Sequence, residues 1–91
     1  MNGRNYRIPS GLFWVNNRDS VTVVDPARAV CEKLADEKAV LWRLLQQELP
    51  RDELIRLYAA IRSVSETDAL LEINQTLAGL AAAGFAEAAD G

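Results

Sequence analysis

The stretch AVCEKLADEKAVLWRLL, residues 29–45, changes its periodicity in the middle, and this change decides the fold. Up to Leu34 the segment is typical of an extended strand. From Asp36 onward the apolar residues recur at helical spacing, and Asp is a favoured helix N-cap. We therefore predict a strand over 29–34 that passes almost directly into a helix ending near Gln47.

Two strands are predicted before this junction. The segments LFWVN (12–16) and VTVVD (21–25) are rich in aromatic and β-branched residues, and the turn-forming residues NRDS (17–20) separate them. The next residues, DPAR (25–28), place Asp and Pro where a type I turn favours them. We therefore expect a three-stranded antiparallel meander with 29–34 as its last strand.

Both faces of this last strand are partly polar. One face carries Val30, Glu32 and Leu34, and the other carries Ala29, Cys31 and Lys33. A strand without a fully apolar face is more typical of the edge of a sheet than of its centre. We expect Val30 and Leu34 to reach the core, with Glu32 between them near the rim.

Apolar residues at helical spacing predict two helices after the sheet. The buried stripe of the first consists of Val40, Leu41, Leu44 and Leu45, with Trp42 beside it in the core or at its margin. The second helix, PRDELIRLYAAI (50–61), has Pro in the favoured first turn. Its apolar side consists of Leu54, Ile55, Leu57, Tyr58 and Ile61.

A third helix is predicted after Ser65, which forms a capping pattern with Asp68. Its apolar positions are Leu70, Ile73, Leu77, Leu80 and Ala81. Gly84 is placed to end this helix in the left-handed conformation, with Phe85 folded back onto the last turn. The final segment AEAADG (86–91) is expected to fray.

This order of elements predicts an α+β fold that is winged-helix-like, with a three-stranded antiparallel sheet followed by three helices. A chain of 91 residues buries one modest core, so we expect a single domain over 1–91 with its core at about 6–86. No apolar run approaches the roughly 18 residues of a membrane span, and MNGRNYRIPSG (1–11) lacks the apolar stretch of a signal peptide. We expect a cytoplasmic protein that does not bind membranes.

The residue types argue against catalysis. The chain has no His and one Cys, Cys31, so neither a zinc cluster nor an internal disulfide is expected. A lone Cys nucleophile would lack a His as its base, and no Gly-rich phosphate loop is present. We predict a protein that is not an enzyme and holds no metal or cofactor.

The uneven charge bears on the alternative of a winged-helix DNA-binding regulator. All ten Lys and Arg lie at or before Arg62, and the last 29 residues carry five acids and no base. The predicted third helix would be the recognition helix, and its acids would repel phosphates. Protein or peptide recognition is therefore favoured, since an unpaired strand edge beside a helix accepts an extended peptide. A third alternative is an assembly factor that binds a folded partner.

Three segments resemble PqqD and the PqqD-like domains, also called RiPP recognition elements, in their order and spacing. They are VTVVDPARAVCEKLADEKAVLWRLL (21–45), PRDELIRLYAAI (50–61) and EINQTLAGLAAAGF (72–85). They match a hairpin, a strand ending in Leu, a polar start to the second helix and a third helix ending in Gly and an aromatic residue. The resemblance covers roughly residues 6 to 86. The chain departs from the family pattern where Ala35 precedes Asp36 and where QQELP (46–50) replaces a short Asp-Gly link.

The resemblance implies a peptide-binding carrier without catalytic activity. Such domains bind the N-terminal leader of a ribosomally made precursor peptide and present the precursor to a modifying enzyme, commonly a radical SAM protein, in natural-product biosynthesis. The leader is expected as an added strand beside the third strand and next to the third helix. The implied contact residues are Arg28, Ala29, Val30, Cys31, Glu32, Lys33, Leu70, Leu71, Asn74 and Ala78. Lys33 and Arg28 are expected to pair with acids of the leader, and the free edge permits either a monomer or an edge-strand dimer.

Overall fold

A computed structural model of the chain describes residues 6–88. Residues 1–5 and 89–91 lie outside the described residues. The first segment belongs to the N-terminus that is expected to lack a signal peptide, and the second belongs to the tail that is expected to fray. The strands are β1 (Tyr6–Arg7), β2 (Phe13–Asn16), β3 (Ser20–Asp25), β4 (Val30–Ala35) and β5 (Glu87–Ala88). The helices are α1 (Glu37–Leu45), α2 (Arg51–Arg62) and α3 (Glu66–Ala82), all between β4 and β5.

The predicted meander is confirmed. Strands β2, β3 and β4 form an antiparallel sheet in that order, with β3 in the centre. The α+β class with three helices after this sheet is therefore confirmed as well. Ala29 is a correction: it has a positive φ of 56° and belongs to the turn, together with Arg28, so the strand begins at Val30.

The strand-to-helix junction is a single residue. Strand β4 ends at Ala35 and α1 begins at Glu37, so Asp36 occupies the predicted N-cap position. Its carbonyl accepts the first helical hydrogen bond from the Val40 amide at 3.1 Å. Its side chain, however, makes no capping hydrogen bond, and its φ of 53° with ψ of −129° lies in a region that favours glycine. The junction therefore depends on an unusual backbone turn at Asp36.

The core lies between the inner face of the sheet and the three helices. Its largest fully buried side chains are Trp42, Tyr58, Phe85, Leu34, Leu41, Ile73 and Leu80. Trp42 contacts Trp14 of β2 and Phe85 edge-to-face, with ring centroids 5.4 and 6.4 Å apart. Edge-to-face aromatic pairs add to the stabilisation that burial provides. Trp42 therefore joins the sheet to the segment after α3.

The helices differ from the sequence predictions mainly in which apolar residues they bury. Val40 is only partly buried, and Leu57 and Ile61 of α2 are exposed, although all three were predicted on buried sides. In α3 the buried positions are Ala69, Ile73, Thr76, Leu77 and Leu80. Leu70 and Ala81 lie further from the core than predicted. A sequence period identifies a helical face, but the neighbouring elements decide how much of that face they cover.

Both ends of α3 follow the prediction. The Ser65 side chain accepts a hydrogen bond from the Asp68 amide at 3.0 Å. Gly84 has a φ of 84°, and the amide of the buried Phe85 donates to the Leu80 carbonyl at 2.8 Å. The tail prediction is wrong at Glu87–Ala88, because this pair forms an antiparallel ladder with Tyr6–Arg7. Arg7 and Glu87 also form an exposed ion pair at 2.7 Å.

Candidate peptide-binding edge

The outer edge of β4 is the candidate site. Strand β3 pairs with one side of β4, and no strand within residues 6–88 pairs with the other side. An unpaired edge exposes backbone amide and carbonyl groups that form the ladder of an added strand.

The pairing register shows which side chains border this edge. Val30, Glu32 and Leu34 stand opposite Asp25, Val23 and Val21 of β3. Directly opposed residues of an antiparallel pair share a face, and Val21 and Val23 are completely buried beneath the helices. The three β4 residues therefore face the helices, as predicted. Cys31, Lys33 and Ala35 face outward and are exposed.

Arg28 connects the start of β4 to the end of α3. Its Nε donates to Asp25 Oδ2 at 2.7 Å, and its Nη2 donates to the carbonyl oxygen of Ala83. The hydrogen bond from Arg28 holds the pKa of Asp25 below its ordinary value. The sequence interpretation had assigned Arg28 to acids of a leader peptide, whereas its guanidinium is already engaged within the chain.

A second cluster joins α2 to α3. Glu72 Oε1 of α3 accepts hydrogen bonds from the Tyr58 hydroxyl at 2.8 Å and from Arg62 Nε at 3.3 Å. The hydrogen bond from Tyr58 is the main cause that lowers the pKa of Glu72, and the bond from Arg62 adds to it. The Glu72 carboxylate in turn raises the pKa of Arg62. Burial and the bond to Glu72 raise the pKa of Tyr58, and the charge of Glu37 adds to this effect. The cluster therefore ties α2 to α3, and the charge of Glu37 at the start of α1 acts on it from a distance.

The acceptors of the two clusters, Glu72 of α3 and its C-cap residue Ala83, lie on one side of the helix. Glu72, Thr76 and Ala83 recur at helical spacing and therefore lie on a common side of α3. Asn74 points elsewhere, because its Oδ1 accepts from Arg51 Nη2 at the start of α2, at 3.3 Å. Leu71 is 57% exposed on the Asn74 side of the helix.

The α3 residues expected to touch a peptide are thus distributed unevenly. Leu70 is half-buried, Leu71, Asn74 and Ala78 are exposed, and the last three share a side of the helix. Their contact with a peptide stays a prediction. Glu72, Thr76 and Ala83 lie on a different side of the helix, and Ala83 is bonded to Arg28 at the start of β4. Sequence analysis missed these three because their position depends on the angle at which α3 crosses the other elements.

The described residues give further information on the other function classes. Helix α3 carries Glu66, Asp68 and Glu72 but no Lys or Arg, so phosphate contact by this helix would be repulsive. Within residues 6–88 no group of three or more His, Cys, Asp or Glu side chains is arranged to hold a metal ion. No helix in that part of the chain has the length and apolarity needed to cross a membrane.

Comparison with known proteins supports the fold. No family model matches the chain, and no curated protein matches it either. The chain is similar to a solved structure described as TbiB1 in complex with the TbiA(beta) leader peptide, with a TM-score of 0.81. The match covers 89% of this chain and 94% of the other, at 18% sequence identity. At that identity the likeness shows the fold, and it confirms the PqqD-like fold that the sequence resemblance implied.

Proposed function

We propose that this chain is a non-catalytic carrier that binds the leader of a ribosomally made precursor peptide and presents it to a modifying enzyme. The observation that carries the proposal is the free edge of β4, whose preceding turn is joined to the C-cap residue of α3 by the bond from Arg28 to Ala83. Peptide strand addition obtains affinity from backbone hydrogen bonds and specificity from alternate side chains. The likeness to a fold described with a leader peptide supports the same proposal.

The arrangement suits an extended ligand because the edge is held before the ligand arrives. Arg28 bonds to Asp25 and to the Ala83 carbonyl at the start of β4, and α1 follows the other end of β4 after the single residue Asp36. A preformed edge loses less conformational entropy on binding than a mobile one. The proposed contact residues are Arg28, Ala29, Val30, Cys31, Glu32, Lys33, Leu70, Leu71, Asn74 and Ala78. In this proposal Arg28 acts by positioning the start of β4.

The partner enzyme in this proposal is a radical SAM protein, as the family resemblance implies, and the encounter takes place in the cytoplasm where precursors are made. The carrier works as a monomer, or as a dimer formed through a free strand edge. Binding and presentation need no catalytic group on the carrier itself.

The test is an NMR titration of the ¹⁵N-labelled chain with the N-terminal segment of a short precursor peptide encoded beside it. We expect shifts at 28–33 and along α3, because an added strand hydrogen-bonds the β4 amides directly. The matched control is the C-terminal core segment of the same precursor, which should leave these signals unchanged. Shifts confined to α2 or to the 16–20 loop would contradict the proposal.

A further inference from the structure

Glu32 has an unusual position for a carboxylate. It stands in the middle of β4 opposite Val23, on the face of the sheet that is covered by the helices. Val30 and Leu34 flank it on the same face, and Leu34 is completely buried. The Glu32 side chain is half-buried in these surroundings. Its carboxylate oxygens are not buried, so they are accessible to a ligand at the open edge.

Glu32 has no partner within residues 6–88, since it takes part in none of the hydrogen bonds or ion pairs of that part of the chain. The carboxylates of the two hydrogen-bonded clusters are compensated. Asp25 is paired with Arg28, and Glu72 is bonded to Tyr58 and Arg62. Glu37 lies in the first turn of α1, where the helix dipole favours negative charge. Glu32 alone among these groups faces the open edge without compensation.

The cations do not compensate for this charge. Lys33 projects from the opposite face of the sheet, beside Thr22, because neighbouring strand residues alternate. Arg28 is engaged by Asp25 and by the Ala83 carbonyl. The charge that the edge presents to a ligand on the helix side is therefore negative, which is opposite to the expectation based on Lys33 and Arg28.

We propose that Glu32 selects leader peptides that carry Lys or Arg at the position facing it. This inference rests on the proposed function and specifies its ligand. A strand added beside β4 directs every second side chain toward the helices. The residues two positions before and after the basic residue would lie beside Val30 and Leu34, so they should be apolar. The recognised segment has the form apolar–x–basic–x–apolar, and its basic group completes an ion pair with Glu32.

The test uses a display library of random ten-residue peptides, selected on the purified full chain. Wild type should enrich peptides with Lys or Arg at one fixed position between apolar residues. E32Q, which keeps the shape of the side chain, should lose this preference, and E32K should shift it toward Asp or Glu. E48Q makes the same change at an exposed residue in the loop between α1 and α2, outside the proposed contacts, so it should leave the preference unchanged. Circular dichroism of each variant verifies that it is folded.

Affinity measurements on a synthetic copy of one selected peptide give the magnitude. Changing its basic residue to Gln should weaken binding to wild type about tenfold, as expected for a partly buried charge-assisted hydrogen bond. The same change should have little effect on binding to E32Q. Enrichment without a fixed basic position, or the same preference in E32Q, would overturn the role of Glu32 and leave the carrier proposal standing. Failure of wild type to enrich any peptide, with the precursor titration also silent, would overturn both.

Discussion

Strands β2 and β4 form the two edges of one sheet, and they differ in composition and in what surrounds them. Strand β2 is FWVN, without a charged residue, and its Phe13 and Val15 are 65% and 62% exposed. Strand β4 is VCEKLA, with an acid facing the helices and a base facing outward. Both edges have unpaired backbone groups, but the bonds of Arg28 connect the start of β4 to the end of α3. An unpaired edge becomes a selective site when neighbouring elements fix what lies beside it.

The largest effect on stability is expected from a substitution in the core between the sheet and the helices. Trp42→Ala removes a fully buried ring that contacts Trp14 and Phe85, so we expect a loss of about 3–5 kcal/mol in the free energy of unfolding. Phe13→Ala in β2 is the control, because its ring is exposed, and should cost less than about 1 kcal/mol. Urea unfolding followed by circular dichroism compares the two. Equal losses in the free energy of unfolding would mean that the exposed Phe13 ring stabilises the fold as much as the buried Trp42 ring does.

Short-range patterns in the sequence predict part of this structure, and long-range contacts account for the rest. The order of elements and the capping of α3 depend on short-range patterns, and both were predictable. The ladder of Tyr6–Arg7 with Glu87–Ala88 was not, because strands of two residues have no period to detect. The engagement of Arg28 was equally hidden, since Ala83 is far from it in the sequence and nothing local brings them together. Within the candidate site, the edge and its faces were predictable, but the side of α3 beside it was not.

The next largest effect on stability should differ between the two edge strands, β4 and β2. Gly84→Ala places a Cβ against the Arg28 guanidinium, at a backbone φ of 84° that disfavours L residues. We expect a loss of about 1–2 kcal/mol, and faster hydrogen exchange in β4 than in β2, because Arg28 anchors only β4. Gly79→Ala, within α3, is the matched control, because nothing lies within 4 Å of the new Cβ. That change should stabilise by about 0.5–1 kcal/mol. Equal exchange in both strands would contradict the anchoring role of Arg28.

Peptide binding should be more sensitive to β4 than to β2. The pair Asp25↔Val30 closes the hairpin, and from there the backbone amides of β4 point alternately toward β3 and toward the free edge. The Cys31 amide points toward the free edge, so Cys31→Pro removes one hydrogen-bond donor from it. We expect about tenfold weaker binding of the precursor leader, the equivalent of one backbone hydrogen bond. Lys33→Ala should have a smaller effect, and Val15→Ser in β2 should have none. Fluorescence anisotropy with a labelled leader measures all three, and a loss with Val15→Ser would transfer the site to the other edge.

Acid should loosen β4 before β2. The pKa values of Asp25 and Glu72 are lowered in the folded state, so their contribution to stability is present above the ordinary carboxylate range. It is lost as the pH falls through the lowered folded values, below about pH 4. Strand β2 contains no ionisable residue. Native-state hydrogen exchange at decreasing pH should show β4 amides losing protection first, and Asp25→Asn should remove part of this pH dependence.

The smallest effect concerns the junction that follows β4. Asp36 has a backbone conformation that only glycine adopts readily, and its side chain makes no capping hydrogen bond. Asp36→Gly relieves this strain but adds conformational freedom to the unfolded chain, so we expect a net gain of about 0.5 kcal/mol. Asp36→Ala keeps the strain and removes no capping bond, so its stability should stay within about 0.5 kcal/mol of wild type. Thermal unfolding of both variants decides between this account and ordinary capping: a loss of about 1 kcal/mol in both would mean that the Asp36 carboxylate caps α1 in solution.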